Sequence, residues 1–202
     1  CSYTYSLVIM KYQPPAVYLP DGSDSVVLHA CCAPCSSAII ECLLYNGIKP
    51  IVFYFNPNIH PLEEYEIRKA ESIRQCESLG IRWIDGDYDH EMWLKCVAGF
   101  ESEPERGGRC QLCFNMRMLA TAECAAQLGV RFFTTTLASS RWKSIKQIDR
   151  AGMYAMDKVG EVEYWSQNWR KGGLQERRNE LLKEGGFYNQ LYCGCEFSRG
   201  DI

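Results

Sequence analysis

Apolar positions along the chain fall into two patterns that alternate. Short apolar runs lie at about 26–30, 51–55, 81–84, 131–135 and 162–165. The Ile51-Val52-Phe53-Tyr54-Phe55 run has no polar alternation, as in a parallel strand covered on both faces. Between the runs, apolar residues recur at helical spacing over Ser36 to Tyr45, Leu62 to Leu79, His90 to Ala98, from Cys110 to Leu128, and at about 145–159 and 174–184. Asn46-Gly47, Gly80 and Gly129 are natural helix exits, and Glu63, Glu64 and Glu66 favour the start of the second helix. The alternation predicts an α/β protein: an open, mostly parallel sheet with helices on both faces and right-handed crossovers. A ligand site in such a sheet lies beyond the carboxyl ends of the strands, where strand order reverses. Residues 1–24, broken by Pro14-Pro15 and Pro20-Asp21-Gly22-Ser23, read as an N-terminal arm, leaving 25–202 as a single domain.

Charge adds one asymmetry. The chain carries a net −3, yet 141–178 holds nine Lys/Arg against five Asp/Glu, a local excess of +4. The overall balance argues against indiscriminate nucleic-acid binding without excluding a basic patch. No stretch is long and apolar enough to span a bilayer, so a soluble, cytoplasmic protein with reduced thiols is expected, without a membrane partner.

The thiols change the picture most. At 202 residues the chain needs no disulfide staples, yet it has 12 cysteines. The singletons sit in apolar segments and read as core. The remainder form three groups: Cys31, Cys32 and Cys35 where the first strand turns into a helix, Cys110 and Cys113 at the head of another helix, and Cys193 and Cys195 near the C-terminus. Three thiols within five residues cannot all pair, and soft metal coordination is their natural use. Cys32-Ala33-Pro34-Cys35 alone suits a thioredoxin-type exchanger, and four thiolates suit zinc as well as an iron–sulfur cluster. A Cys-x-Cys disulfide is strained and readily reduced, which fits a redox relay, whereas two tail thiols are the plainer alternative.

The residues carrying a specific resemblance are Leu28-His29-Ala30-Cys31-Cys32-Ala33-Pro34-Cys35-Ser36-Ser37, Phe55-Asn56-Pro57-Asn58-Ile59-His60-Pro61, Gly86-Asp87-Tyr88-Asp89, the stretch from Glu103-Pro104-Glu105-Arg106 to Cys113, Phe133-Thr134-Thr135-Thr136-Leu137 and Tyr192-Cys193-Gly194-Cys195. Together, over about 25–198, they resemble the cobalamin-independent epoxyqueuosine reductases, the QueH family. The resemblance implies a sheet related to the adenine-nucleotide α-hydrolase (HUP) fold. It also implies a [4Fe–4S] cluster on Cys31, Cys32, Cys110 and Cys113 and a redox-active pair at Cys193 and Cys195. Cys35 is left over, either as a small core residue or as ligand to an additional iron beside the cluster. Where nucleotide-binding relatives of that fold carry a Ser/Gly-rich phosphate loop, this chain carries thiols, which speaks against ATP use.

The implied reaction removes the epoxide oxygen of epoxyqueuosine in tRNA, with tRNA and an unidentified electron donor as partners. An acid is needed at the leaving oxygen, and Asp87, Asp89 and His60 are the candidates because their loops follow the second and third strands. Asp87 and Asp89 also suit a helix cap, and His60 before Pro61 suits a loop anchor. For tRNA, the basic segment offers cations and flat rings at Arg141, Trp142, Lys143, Lys146, Trp169, Arg170 and Lys171. Two other classes stay open: a cluster-bearing tRNA-thiolation enzyme of the same fold, and a zinc-stabilised nucleic-acid-binding module.

Overall fold

A computed structural model describes residues 12–198; positions 1–11 of the expected arm and 199–202 at the other end lie outside the described residues. Five strands, β1 (Ser25–His29), β2 (Lys49–Tyr54), β3 (Trp83–Asp85), β4 (Phe132–Thr135) and β5 (Glu163–Tyr164), form one sheet in the order β3-β2-β1-β4-β5. Every neighbouring pair is parallel. Right-handed crossovers therefore send the connections of β1–β2–β3 to one face and that of β4–β5 to the other. The helices obey this: α1 (Ala33–Tyr45) packs on α2 (Leu62–Leu79) and α6 (Leu174–Glu184), whereas α4 (Gly108–Gln127) packs on α3 (His90–Val97) and α5 (Ile145–Val159).

The core sits between these layers. Val26, Val27 and Leu28 of β1, with Phe132 and Phe133 of β4, are buried against Ile39, Ile40 and Leu43 on one side and Met118, Ala122 and Ala125 on the other. Tyr12, Val17 and Leu19 also pack on this core, and the Tyr12 hydroxyl donates to the Gly172 carbonyl at 2.9 Å. None of the described helices is long and apolar enough to cross a membrane.

Helix boundaries match the hydrophobic periodicity closely, with one informative difference. Helix α1 begins at Ala33, three residues before the expected Ser36, because Pro34 falls in the first turn, where a missing N–H and a fixed φ favour the helix. Cys35 is thus a helical residue, directed by α1 rather than by a loop. Strand β5 is shorter than expected, at Glu163–Tyr164. The order reverses between β1 and β4, whose last residues His29 and Thr135 are paired. The thiols that follow β1 therefore emerge at the switch point.

Candidate metal centre and thiol cleft

Beyond that switch point the backbone N–H of Cys31 donates to Thr136 Oγ1 at 3.2 Å, which ties the exit of β1 to the exit of β4. Cys31, Cys32 and Cys35 then place their sulfurs within 4.8 Å of one another. The Cys31–Cys32 separation is 3.7 Å, close to the ~3.8 Å edge that four thiolates make around one tetrahedral ion. Gln190 Nε2 closes the group from outside, donating to Cys32 Sγ at 2.8 Å and to Cys35 Sγ at 3.4 Å.

This trio does not titrate as three equal thiols. Hydrogen bonds from Cys32 and then Cys35 hold Cys31 well below the usual thiol range. Cys32 is pushed up, first by burial, and Cys35 is raised to about 12, first by its hydrogen bond to Cys31. One thiolate shared among three sulfurs is the arrangement a cation completes by displacing the remaining protons.

Cys110, Cys193 and Cys195 come to the same cleft from distant parts of the chain, outside the 4.8 Å within which Cys31, Cys32 and Cys35 gather. A cleft of about 850 Å³ is bordered by Cys31, Cys35, Cys110, Cys193 and Cys195. Cys110 and Cys113 lie one helical turn apart at the start of α4, so both face one side, and Arg117 follows one turn later. The Arg106 N–H donates to Cys110 Sγ at 3.3 Å, and Arg117 Nη1 approaches Cys113 Sγ at 3.9 Å. Cys195 is raised to about 11 by burial, while Cys193 Sγ accepts from Lys143 Nζ at 3.2 Å.

A buried cation, Arg117, and a half-buried one, Lys143, face these sulfurs without a carboxylate among the described residues. Arg117 is 2 % exposed; its Nη2 donates to Asn56 Oδ1 at 2.6 Å and its Nε to His29 Nε2 at 3.3 Å. His29 Nε2 also meets the Phe55 carbonyl at 3.1 Å, and Nδ1 reaches Thr135 Oγ1 at 2.9 Å. Burial, and then Arg117, drives His29 down to about 3, so it stays neutral. Burial works against the charge of Lys143, but Cys193 and Cys31 outweigh it and raise its pKa. Among the described residues neither Arg117 nor Lys143 has a carboxylate in ion-pair reach. Cations withdrawn from water in this way call for an anionic partner, which thiolates or a thiolate-bound metal would supply. The donor set fits a soft metal group.

A family model for epoxyqueuosine reductase QueH matches residues 26–201. The chain belongs to the epoxyqueuosine reductase QueH family. Among relatives of that name, the Histophilus somni protein is 47 % identical, covering 93 % of this chain and 77 % of its own. The Haemophilus influenzae protein is 48 % identical over 91 % and 75 %, and the Thermotoga maritima protein 35 % over 86 % and 90 %. The crystal structure of a predicted tRNA methyltransferase subunit from Methanocaldococcus jannaschii matches with a TM-score of 0.50 at 13 % identity, covering 82 % of this chain and 93 % of that one, a likeness of fold alone.

For a QueH-family oxidoreductase, the positions of the remaining sequence candidates are as informative as the thiols. Asp87 and Asp89 are exposed and away from the cleft lining. Asp89 is the N-cap of α3, accepting from the Met92 N–H at 2.8 Å, and Asp87 occupies a left-handed turn with φ 61°. His60 follows β2 but also stands outside the lining, stacked on His90. The acid expected among these three therefore has no member at the sulfurs.

The basic segment divides. Arg141 and Trp142 sit at the cleft mouth, Trp142 at 65 % exposure with Arg141 over its ring, and Lys146 and Lys171 face solvent. Trp169 is 1 % exposed and packs edge-on against Trp165, so its ring is not available to stack on a base. Arg170 turns inward and donates to the carbonyls of Ser140 and Lys143, fixing the loop that carries Lys143. Lys143 itself points at Cys193 rather than outward. Sequence reading missed Arg117, Gln190 and Arg68, the last of which donates to the carbonyls of Tyr192 and Cys193. Of these only Arg117 left a sequence signal, its position four residues after Cys113.

Proposed function

We propose that this chain reduces the epoxide of epoxyqueuosine within tRNA, using a [4Fe–4S] cluster and the Cys193/Cys195 pair, in the reducing cytoplasm. The single observation that carries this is the convergence of three thiol segments, at one cleft on the switch point, on Arg117 and Lys143, which have no carboxylate partner among the described residues. In this reading Cys31, Cys32, Cys110 and Cys113 hold the cluster, which supplies one-electron transfers at a potential tuned by hydrogen bonds to sulfur. The spacing of Cys31, Cys32 and Cys35 also suits a single additional iron, with Cys35 as a ligand. We read the strand order as that of the adenine-nucleotide α-hydrolase fold, with thiols in place of its phosphate loop.

The balance of the reaction suits the paired thiols. Both C–O bonds of the epoxide break, a C=C bond forms and the oxygen leaves as water, which consumes two electrons and two protons. Oxidation of Cys193 and Cys195 to a disulfide releases the same two electrons and two protons. An external dithiol or low-potential reductant then restores the pair. Lys143, already donating to Cys193, is the group we assign to deliver a proton at the leaving oxygen. Arg106, Arg141 and Trp142 at the mouth would receive the anticodon loop through phosphate contacts and one exposed ring.

The test is anaerobic incubation of the iron- and sulfide-loaded protein with tRNA bearing epoxyqueuosine and a low-potential reductant, followed by mass analysis of the released nucleosides. The expected product lacks one oxygen atom. A loaded protein that leaves the nucleoside unchanged, or a colourless protein that retains stoichiometric zinc after reconstitution, overturns the reading. For the mouth, Arg141→Ala with Lys146→Ala should weaken tRNA binding and flatten its salt dependence by about one unit for each phosphate no longer neutralised, with cofactor absorbance intact.

A further inference from the structure

The C-terminal segment that carries Cys193 and Cys195 meets the loop after β2 and the start of α3 at a corner that the reduction chemistry does not use. There a ring nitrogen of His60, a ring nitrogen of His90 and a carboxylate oxygen of Glu196 lie within 4.8 Å of one another. Three parts of the chain supply them. The His60 N–H donates to the Gly194 carbonyl at 2.9 Å, and the Tyr192 hydroxyl donates to the His60 carbonyl, so the His60 backbone is bound to the same segment.

The hydrogen bonds of His90 expose what the corner lacks. Its Nδ1 lies 2.8 Å from the Pro57 carbonyl, which can only accept, so Nδ1 carries the ring proton. Its Nε2 then lies 3.0 Å from Glu196 Oε1, a second acceptor. Two acceptors at that distance require a cation between them, either a further proton or a metal ion. The position of His60 favours the metal. Its ring stacks on His90 with centroids 5.0 Å apart, and among the described residues neither of its nitrogens takes part in a hydrogen bond. An imidazole with a free lone pair adds nothing to a His90–Glu196 ion pair, but it completes a set of two imidazoles and a carboxylate.

The geometry points to a divalent transition-metal site at His60, His90 and Glu196, whose ion clamps the Cys193–Cys195 segment onto the rim of the sheet. Bonds of about 2.0–2.2 Å place adjacent nitrogen and oxygen ligands about 3–3.6 Å apart; the His90–Glu196 pair already stands at 3.0 Å, and the His60 nitrogen, within 4.8 Å of both, turns inward to join them. The Pro57 carbonyl is the outer partner that fixes the His90 tautomer for metal binding at Nε2. The side chains of His90 and Glu196 are 15 % and 36 % exposed, so an ion can reach them and water can fill its remaining positions. Nitrogen and oxygen donors favour zinc over manganese or magnesium, in contrast to the all-sulfur trio across the cleft. This inference does not depend on epoxide reduction.

The chain has three histidines, at 29, 60 and 90, so imidazole NMR of the full protein under Zn2+ titration reads the site residue by residue. In wild type the His60 and His90 signals should move together and saturate. Glu196→Gln should require about tenfold more Zn2+ for the same change, or more, while the thiol sites fill as before. His60→Ala should weaken the His90 response similarly, and an unchanged His29 signal in the zinc-free variants certifies the fold. If the His60 and His90 signals stay in place at Zn2+ concentrations that saturate the thiols, or move alike in wild type and Glu196→Gln, the corner is a plain imidazolium–carboxylate pair and the inference fails.

Discussion

Two sets of cations in this molecule are built in opposite ways. Arg177 bridges α6 to α1 through Glu41 at 3.0 Å and also reaches Glu180 and Glu184, and Arg131 on β4's approach pairs with Glu163 and Asp21. Arg68 is buried, but Glu64 one turn earlier neutralises it. Arg117 and Lys143 have no such partner among the described residues and face sulfur instead. A cation balanced by a carboxylate joins elements of the scaffold. One left unbalanced at a cleft costs stability until an anion arrives, so its presence marks where negative charge is to be held.

Removing an unbalanced cation should therefore cost function, and removing a balanced one should cost little. The largest effect is expected at Lys143. Lys143→Met deletes the charge beside Cys193 with little change of volume, and turnover should fall by about 10²–10⁴-fold while cofactor absorbance is retained. Single-turnover assays with the pre-reduced protein check this; wild-type turnover in the variant would remove Lys143 from the chemistry.

Arg117 comes next, and its test sharpens the comparison because the expected cost depends on what occupies the cleft. Arg117→Met leaves Asn56 Oδ1 without its donor whether or not a metal group is bound. The contact with Cys113 Sγ gains charge only when that sulfur is a metal-bound thiolate. Urea midpoints of stripped and loaded protein should therefore differ in their response to the substitution, with an additional loss of about 2 kcal/mol in the loaded form, the worth of a hydrogen bond to a charged group. Equal losses in the two forms would show that Arg117 serves the scaffold alone.

This division of cations was only partly legible in the sequence. The strands and helices were readable because their apolar spacing is a local property, whereas the strand order that makes β1 the switch point depends on pairing that no local window contains. The α1 start was misplaced because Pro34 acts as a first-turn residue rather than a breaker. The thiols announced themselves by spacing, but their companions did not. Gln190 and Glu196 reach the rim, and Arg68 of α2 finds its carbonyl partners, only because the tail folds back over the β1 and β2 exits, and no local pattern encodes that return. Trp169 shows the reverse error: a ring beside Arg170 and Lys171 reads as a base-stacking surface, whereas packing against Trp165 consigns it to the core. Burial is settled by the partner element, and a sequence window contains only one side of that contact.

The smallest effect should come from the balanced set. Arg131 lies at the amino end of β4, at the opposite end of the strands from the sulfurs, with 56 % of its side chain exposed. Its bonds to Glu163 and Asp21 are in contact with water, so screening and the entropy of ordering three side chains offset most of their Coulomb energy. Arg131→Gln should cost at most about 1 kcal/mol by urea unfolding, less at high salt, and leave tRNA affinity, metal loading and turnover unchanged. A large loss of activity in this variant would mean that the strand ends communicate through the sheet, and that carboxylate pairing does not separate scaffold cations from those of the site.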